Sequence, residues 1–434
     1  MQLILPKGAR CLQEPGKGDF SRPTTAGAGE GRFPTFRALR YRNFRILWAG
    51  LAVSAVGTWM QIVALSLLVL DLTHGSAAAL GAVSLVQALS FLLFSAVGGG
   101  AADRFDKRRL LLLTQSVMMG LALLLGMLTA AGMIRFWMIP LFVLGSSATL
   151  SFDQPARNAL ATSLVPKEYL MNAVALQSAV FNGASILGPA LAGLALSRIG
   201  YSGNFFLNAA SYSAVLAALL LLPASSSQET ARPVARLWDS VREALHHVRQ
   251  DALLPAVVSA YAALLFFGPS AALMLPLFAR QVLRAGPAQL GMLFSAMGAG
   301  AVVGALIVAS LGDMRFKGRL VFGSILLWMA ALAAFGLSNS LLVAVPALFL
   351  LGAAQNSAGA TTITLLQTRV PPEMRGRAMS LNTLLIMCVR PLGDFPAGVV
   401  IAGLGLRPAV LLSVLIVGVV WSAVLAGFPS VRSA

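Results

Sequence analysis

The segment Cys388–Gly398, "CVRPLGDFPAG", places an arginine and an aspartate inside a long apolar stretch. Arg390 and Asp394 are four residues apart, so a helix puts both on one face, about 6 Å apart along its axis. A carboxyl group in such a stretch can carry a proton, contact a substrate, or only pair with the neighbouring arginine. Among the acidic residues, Asp394 alone lies well inside an apolar segment, which makes it the first candidate for chemistry.

The elements that would hold these residues are membrane-spanning helices. The chain is 58% hydrophobic and 11% charged, whereas soluble proteins contain about 25% charged residues. Apolar runs of about 20 residues, each long enough to cross a bilayer as a helix, recur between Phe44 and Phe428. We predict an all-α polytopic membrane protein with twelve transmembrane helices: 44–70, 77–101, 109–133, 136–158, 171–197, 203–223, 253–278, 288–311, 319–338, 341–365, 378–404 and 408–428.

The net charge of +17 would suit a nucleic-acid partner, but the basic residues cluster in short loops on one side of the predicted helices. This asymmetry follows the positive-inside rule and predicts that both termini are cytoplasmic, with no nucleic-acid partner. We expect four segments: 1–40 as a disordered cytoplasmic tail, 41–223 as an N-terminal six-helix half, 224–252 as a cytoplasmic linker, and 253–434 as a C-terminal six-helix half.

The two halves resemble each other in sequence. The stretch "TSLVPKEYLMNAVALQ" (162–177) matches "QTRVPPEMRGRAMSLN" (367–382) at a shift of 205, which is 367 − 162. The same shift places Gly188 on Gly393 and Pro189 on Asp394, and a shift of 210, which is 291 − 81, places Gly81 on Gly291. Parallel repeats of this kind predict a transporter, with the substrate path between the halves at the bilayer midplane.

The loop between the second and third predicted helices, "GGGAADRFDKRRLLL" (98–112), carries the pattern G-x-x-x-D-R-x-G-[RK]-[RK]. The pattern is formed by Gly99, Asp103, Arg104, Lys107 and Arg108, with Asp106 at the position where glycine is usual. It resembles the signature loop of the major facilitator superfamily. The resemblance implies the major facilitator fold and a conformational gate that holds the halves together on the cytoplasmic side. We expect Lys107 to pair with Asp153, although a plain basic loop would also explain these residues.

A second motif, "NGASILGPALAG" (182–193), lies in the fifth predicted helix. Through Gly188, Pro189 and Gly193 it resembles the G-x-x-x-G-P-x-x-G-G motif of facilitator-family antiporters, which implies export. Small residues at this spacing also permit close helix packing, and this alternative explains them equally well.

The stretches 151–193 and 275–293 resemble the subgroup of facilitator exporters that includes enterobactin exporters, macrolide-efflux proteins and transmembrane secretion effectors. The resemblance extends over nearly the whole chain from Arg40. It implies proton-coupled export of a small amphipathic molecule, such as a drug, macrolide or siderophore, across a bacterial inner membrane. The subgroup usually has small or hydroxyl residues at the positions of Arg390 and Asp394, so its coupling chemistry does not transfer to them.

Several polar side chains within the predicted helices are candidates for contact with a substrate. Each could instead make a hydrogen bond between helices. The candidates, besides Arg390 and Asp394, are Gln61, Gln87, Gln177, Asn182, Tyr261, Gln355, Asn356 and Asn382. A path lined by few charges and many apolar side chains would suit an amphipathic substrate.

The sequence argues against an enzyme. It lacks the P-loop pattern G-x-x-x-x-G-K-[ST], and its three histidines fall outside the predicted helices. We therefore expect no cofactor or metal, a proton gradient as the energy source, and a functional monomer. Three alternatives stay open: a lipid or lysophospholipid flippase, an uptake permease on the same fold, and a membrane scaffold or sensor that does not transport.

Overall fold

The computed structural model describes residues 34–223, 237–312 and 316–428, except for the side chains of 34–36, 96–104, 237–240 and 372. This part of the chain is helical and contains no strand. Its α-helices are α1 (Arg42–Leu72), α2 (Ala77–Arg104), α3 (Lys107–Ala130), α4 (Met138–Ser163), α5 (Leu170–Leu221), α6 (Leu237–Gln250), α7 (Leu254–Phe267), α8 (Ala271–Gln281), α9 (Pro287–Leu311), α10 (Lys317–Leu337), α11 (Leu341–Arg369), α12 (Arg375–Leu384), α13 (Arg390–Leu404) and α14 (Leu406–Gly427).

Ten segments of the described chain are long and apolar enough to cross a membrane. One of them contains α5, which turns back at Gly200. The φ angle there is 65°, a conformation that glycine adopts without strain. Beyond the turn, the Asn204 side chain donates a hydrogen bond to the Ala192 carbonyl at 3.2 Å. The two parts of α5 therefore run antiparallel and count as two spans. The 26-residue α4, about 39 Å long, also suffices to cross a bilayer. The total is consistent with the predicted twelve.

Two of the spans are interrupted helices. α7 and α8 form one span that breaks at Gly268–Ser270, and α12 and α13 form another, joined by a π-helical turn at Leu385–Val389. The π turn directly precedes Arg390. Such turns inside α-helices are frequent at functional sites.

The helices alternate in direction, so the bundle has two ends. We call the end where α1 passes into α2 the Asp71 end, and the end where α2 passes into α3 the Asp106 end. We call α1 to α5 the N-terminal group and α7 to α14 the C-terminal group.

The predicted linker 224–252 is described only from residue 237, and 224–236 lie outside the described residues. Its helix α6 packs on α12 of the C-terminal group. The apolar face of α6, with Val241, Ala244 and Val248, is buried, and Glu243 forms an ion pair with Arg377.

The internal repeat is visible in the packing within each group. Gly188 of α5 lies against Trp59 of α1, and its repeat counterpart Gly393 of α13 lies against the Phe266 carbonyl of α7. A side chain at either glycine would collide with the neighbouring helix. Both positions therefore require glycine because two helices approach closely there.

Candidate functional site

The two groups meet at the Asp71 end through helices whose backbones touch. A Cβ added at Gly81 of α2 would lie 2.7 Å from the Asp394 carbonyl oxygen of α13. A Cβ added at Gly398 of α13 would lie 2.6 Å from the Ala77 carbonyl oxygen of α2. Only glycine allows α2 and α13 to pack this closely.

A second contact of the same kind joins α5 to α9. Gly291 of α9 lies against the Pro189 carbonyl, and a Cβ added at Gly193 would lie 2.5 Å from the Pro287 carbonyl oxygen. In the repeat, Gly81 corresponds to Gly291 at the shift of 210, and Pro189 corresponds to Asp394 at the shift of 205. The Gly81–Asp394 and Gly291–Pro189 contacts are therefore equivalent. The antiporter-like motif thus serves two contacts, with Gly188 inside its own group and Pro189 and Gly193 against the other group.

An ionic contact at the same end was not anticipated from the sequence. Asp71 of α1 forms an ion pair with Arg280 of α8 at 2.6 Å, and the Tyr201 hydroxyl donates to the same carboxylate. Asp71 and Arg280 belong to different groups, so this pair joins the groups near their glycine contacts.

The Asp394 side chain is buried where the groups meet, with 2% of its surface exposed. Its Oδ1 accepts a hydrogen bond from the Ser270 backbone N–H at 2.8 Å. Ser270 is the N-cap of α8, and its hydroxyl accepts from the Leu273 N–H at 3.2 Å. The Ser84 side chain of α2 lies close to the same carboxyl. Burial opposes a negative charge on the Asp394 carboxyl, whereas the positive end of the α8 dipole and the backbone N–H favour it.

Arg390 has a different partner. Its Nη2 donates to the Gln355 Oε1 of α11 at 3.2 Å, and the guanidinium is half-buried near the Tyr261 hydroxyl of α7. The ion pairs of the described residues do not include Arg390 with Asp394. The two residues therefore do not form a direct ion pair: Asp394 bonds the N-terminus of α8, and the Arg390 charge acts on it only through space.

Asp153 is fully buried inside the N-terminal group. Its Oδ1 accepts from the Thr114 hydroxyl at 2.9 Å and from the Gln115 Nε2 at 2.6 Å. Its Oδ2 pairs with Arg157, one turn further along α4. The sequence predicted Lys107 as the ionic partner, and the structure shows Arg157 in that role. The i, i+4 spacing of Asp153 and Arg157 was the signal for this pair.

The signature loop is described in part. The surroundings of Gly99 and the side chains of Asp103 and Arg104 are not among the described parts of the chain, so their predicted gate role stays a prediction. Asp106, the departure from the family pattern, caps α3 by accepting from the Arg109 N–H at 2.7 Å. Arg108 donates from Nε to the Leu219 carbonyl at 2.7 Å and so ties the loop to α5.

Two of the predicted amide candidates join helices. Gln61 of α1 accepts from Asn208 of α5 at 2.6 Å, and Asn356 of α11 donates to the Ala301 carbonyl of α9 at 2.5 Å. These two residues hold helices together within a group, which is the alternative to substrate contact that the sequence left open.

The other amides are spread along the bundle. Gln87 is exposed and Asn182 is half-buried. The Gln177 Nε2 and the Asn382 Oδ1 are buried without a hydrogen-bond partner. The structure therefore brings together Arg390, Gln355 and Tyr261, with Asp394 one turn away, and leaves the remaining candidates apart from them.

Paired groups of antiparallel spans, related by an internal repeat and closed against each other at one end, define the chain as a major facilitator transporter. The family model for transmembrane secretion effectors matches residues 34–431. The chain belongs to this family. It is a multi-pass membrane protein that moves a small molecule and is not an enzyme.

Relatives along most of the chain are transporters. The MFS-type transporter YfiS of Bacillus subtilis is 26% identical, with 87% of this chain and 91% of YfiS covered. The enterobactin exporter EntS of Citrobacter koseri is 28% identical, with 86% and 85% covered. Macrolide efflux protein A of Streptococcus pyogenes is 23% identical, with 82% and 89% covered.

Solved structures with the same fold are more distant in sequence. The nucleoside transporter NupG has a TM-score of 0.71 at 15% identity, with 88% of this chain and 98% of that chain covered. A bacterial homologue of the lysosomal transporter Spinster also has a TM-score of 0.71 at 15% identity, with 90% and 98% covered. These similarities establish the fold.

Proposed function

We propose that the protein exports a small amphipathic molecule across the bacterial plasma membrane by alternating access, driven by the proton gradient. The observation that carries this proposal is the closure of the Asp71 end by two repeat-related glycine contacts, Gly81 on Asp394 and Gly291 on Pro189. In alternating access, closure at one end accompanies opening at the other. The state described here would load its substrate from the Asp106 end.

Charge supports a cytoplasmic position for the Asp106 end. Basic residues concentrate there, including Arg40, Arg42, Lys107 and Lys167, as the positive-inside rule requires. Loading from the cytoplasm corresponds to export. The names of two relatives, an enterobactin exporter and a macrolide efflux protein, support the same direction. Both groups are in one chain, so a monomer would suffice, and no cofactor is required.

Asp394 is the carboxyl group best placed to couple transport to protons. It lies directly beneath the contact between α2 and α13, so separation of the groups at the Asp71 end would uncover it. A carboxyl group that is buried in one state and exposed in the other can take up and release a proton in turn.

The test uses the full-length protein in liposomes, with erythromycin and enterobactin as probes of the relatives' substrate classes. We expect an imposed pH gradient to accelerate outward-directed movement of at least one probe relative to protein-free liposomes. Equal rates after the gradient is collapsed with an ionophore would show that proton coupling is wrong. Movement only in the uptake direction, transfer of a fluorescent lysophospholipid between leaflets, or binding without movement would favour the permease, flippase and scaffold alternatives respectively.

A further inference from the structure

Arg390 is a cation at the middle of a membrane span. The span runs from Arg375 to Leu404, so Arg390 lies about 22 Å along the helix from either end. A charge at this depth is costly unless an anion, a polar network or water compensates it. Such a residue is therefore a functional candidate, and its partners decide what it binds.

The ion pairs of the described residues do not include Arg390, and Asp394, one turn away, acts on it only through space. Arg390 contacts the neutral Gln355 of α11, and on α7 the uncharged Tyr261, whose hydroxyl faces Gly359, is within reach of its charge. On its own helix, Asp394 is engaged with the Ser270 N–H at the start of α8. On α2, Ser84 lies near Asp394 and is uncharged. The positive charge of Arg390 therefore lacks a carboxylate partner within hydrogen-bonding distance.

The helix geometry sets the direction in which Arg390 points. Positions 390 and 394 share a face of α13, because they are one turn apart. At position 394 the side chain on this face lies close to Ser84 of α2, which belongs to the N-terminal group. Arg390 lies one turn nearer the Asp106 end, just below the place where the groups close against each other. The side chain of Arg390, which is partly exposed, therefore faces the gap between the groups at the closed end of the path.

We infer that Arg390, supported by Gln355 and Tyr261, binds an anionic oxygen group of the substrate, such as a carboxylate or phosphate. The planar guanidinium suits two parallel hydrogen bonds to such a group. The aromatic pair Phe266 and Phe267, packed edge to face at 5.0 Å where α7 ends, supplies an apolar surface at the neighbouring break in the span. The substrate class is thus an amphipathic anion, an assignment that rests on the proposed transport function.

The test measures equilibrium binding of dansylglycine and of the uncharged dansylglycinamide to the purified full-length protein. We expect the acid to bind at least about tenfold more tightly than the amide, as one charge-assisted hydrogen bond would provide. Arg390→Gln should abolish this preference with little change for the amide, and Arg390→Lys should retain part of it. Arg407→Gln is the matched control, because Arg407 contacts Ser338 and Asn339 at the edge of the bundle. It should behave like the wild type.

Competition identifies the source of the anion. Displacement of dansylglycine by dodecanoate but not by lysophosphatidic acid would indicate a small carboxylic acid, and the reverse would indicate a lipid headgroup. Both results depend on Arg390 and support the inference. Equal binding of acid and amide by the wild type, or an unchanged preference in Arg390→Gln, would overturn it.

Thermal stability supplies a readout that requires no ligand. Since Arg390 makes no direct ion pair among the described residues and its hydrogen bond is to the neutral Gln355, Arg390→Gln should melt close to the temperature of the wild type. A marked fall would mean that Arg390 is structural and would overturn the inference. Charge-selective binding without gradient-driven movement would refute only the proposed function. Gradient-driven movement that does not distinguish acid from amide would refute only the inference.

Discussion

Asp394 and Arg390 lie one helical turn apart and have different partners, Ser270 and Gln355. The sequence predicted both as unusual charges in an apolar helix, and both lie near the middle of the span Arg375–Leu404. The sequence could not predict that they have different partners, because Ser270 and Gln355 are distant along the chain and contact them only in the folded bundle. Arg157 was missed although its i, i+4 spacing from Asp153 was a usable signal, because the sequence does not show that Asp153 is buried and requires a partner.

Replacement of Asp394 by Asn tests whether this carboxyl group couples transport to protons. The amide keeps an oxygen that accepts from the Ser270 N–H but cannot exchange a proton, so transport in liposomes should lose its acceleration by a pH gradient. Exchange of substrate without a gradient should persist. Asp106→Asn is a matched control, because Asp106 caps α3 outside the spans. If Asp394→Asn retains the pH dependence of the wild type, the carboxyl is structural.

Among the helices, the apolar runs predicted the spans well and their interruptions poorly. The predicted seventh helix was continuous, whereas the structure breaks it at Gly268–Ser270. The glycine and proline of "FFGPS" were a usable signal for this break. The π turn at Leu385–Val389 had a signal as well, because Pro391 lacks the N–H that would bond the carbonyl at position 387 and its ring clashes with that carbonyl.

Gly291→Val tests whether the contact between α5 and α9 holds the Asp71 end closed. The valine side chain would collide with the Pro189 carbonyl. Overpacking costs about 1–3 kcal/mol, enough to shift the equilibrium toward separated groups by roughly five- to a hundredfold. The reporter is a cysteine in place of Ser295, whose hydroxyl donates to the Ile186 carbonyl across this contact, in a protein without Cys11 and Cys388. This cysteine should react with a maleimide faster in Gly291→Val than in the protein that keeps Gly291.

The matched control is Gly183→Val on α5, where an added Cβ meets nothing within 4 Å. This variant should leave the labelling rate at position 295 unchanged. Equal rates in the two glycine variants would mean that the contact does not hold the Asp71 end closed.

The molecule as a whole consists of two related groups whose contact surfaces are also related. Gly81 and Gly291 correspond in the repeat, and their partners Asp394 and Pro189 correspond as well. Hydropathy and the repeat predicted the spans and the parallel arrangement of the halves. They could not predict which end is closed, because the free energies of the two closed states depend on contacts between residues more than a hundred positions apart.

Alternating access requires that opening at one end of the bundle accompanies closing at the other. Two pairs of exposed positions, one position in each group, report on this: Met133 with Leu342 at the Asp71 end, and Phe105 with Phe316 at the Asp106 end. Spin labels at each pair, in a background without Cys11 and Cys388, give distances by electron paramagnetic resonance. With acidification, and separately with Gly291→Val, we predict that the Met133–Leu342 distance lengthens while the Phe105–Phe316 distance shortens. Distances that stay fixed, or that change in the same direction at both ends, would contradict alternating access in this protein.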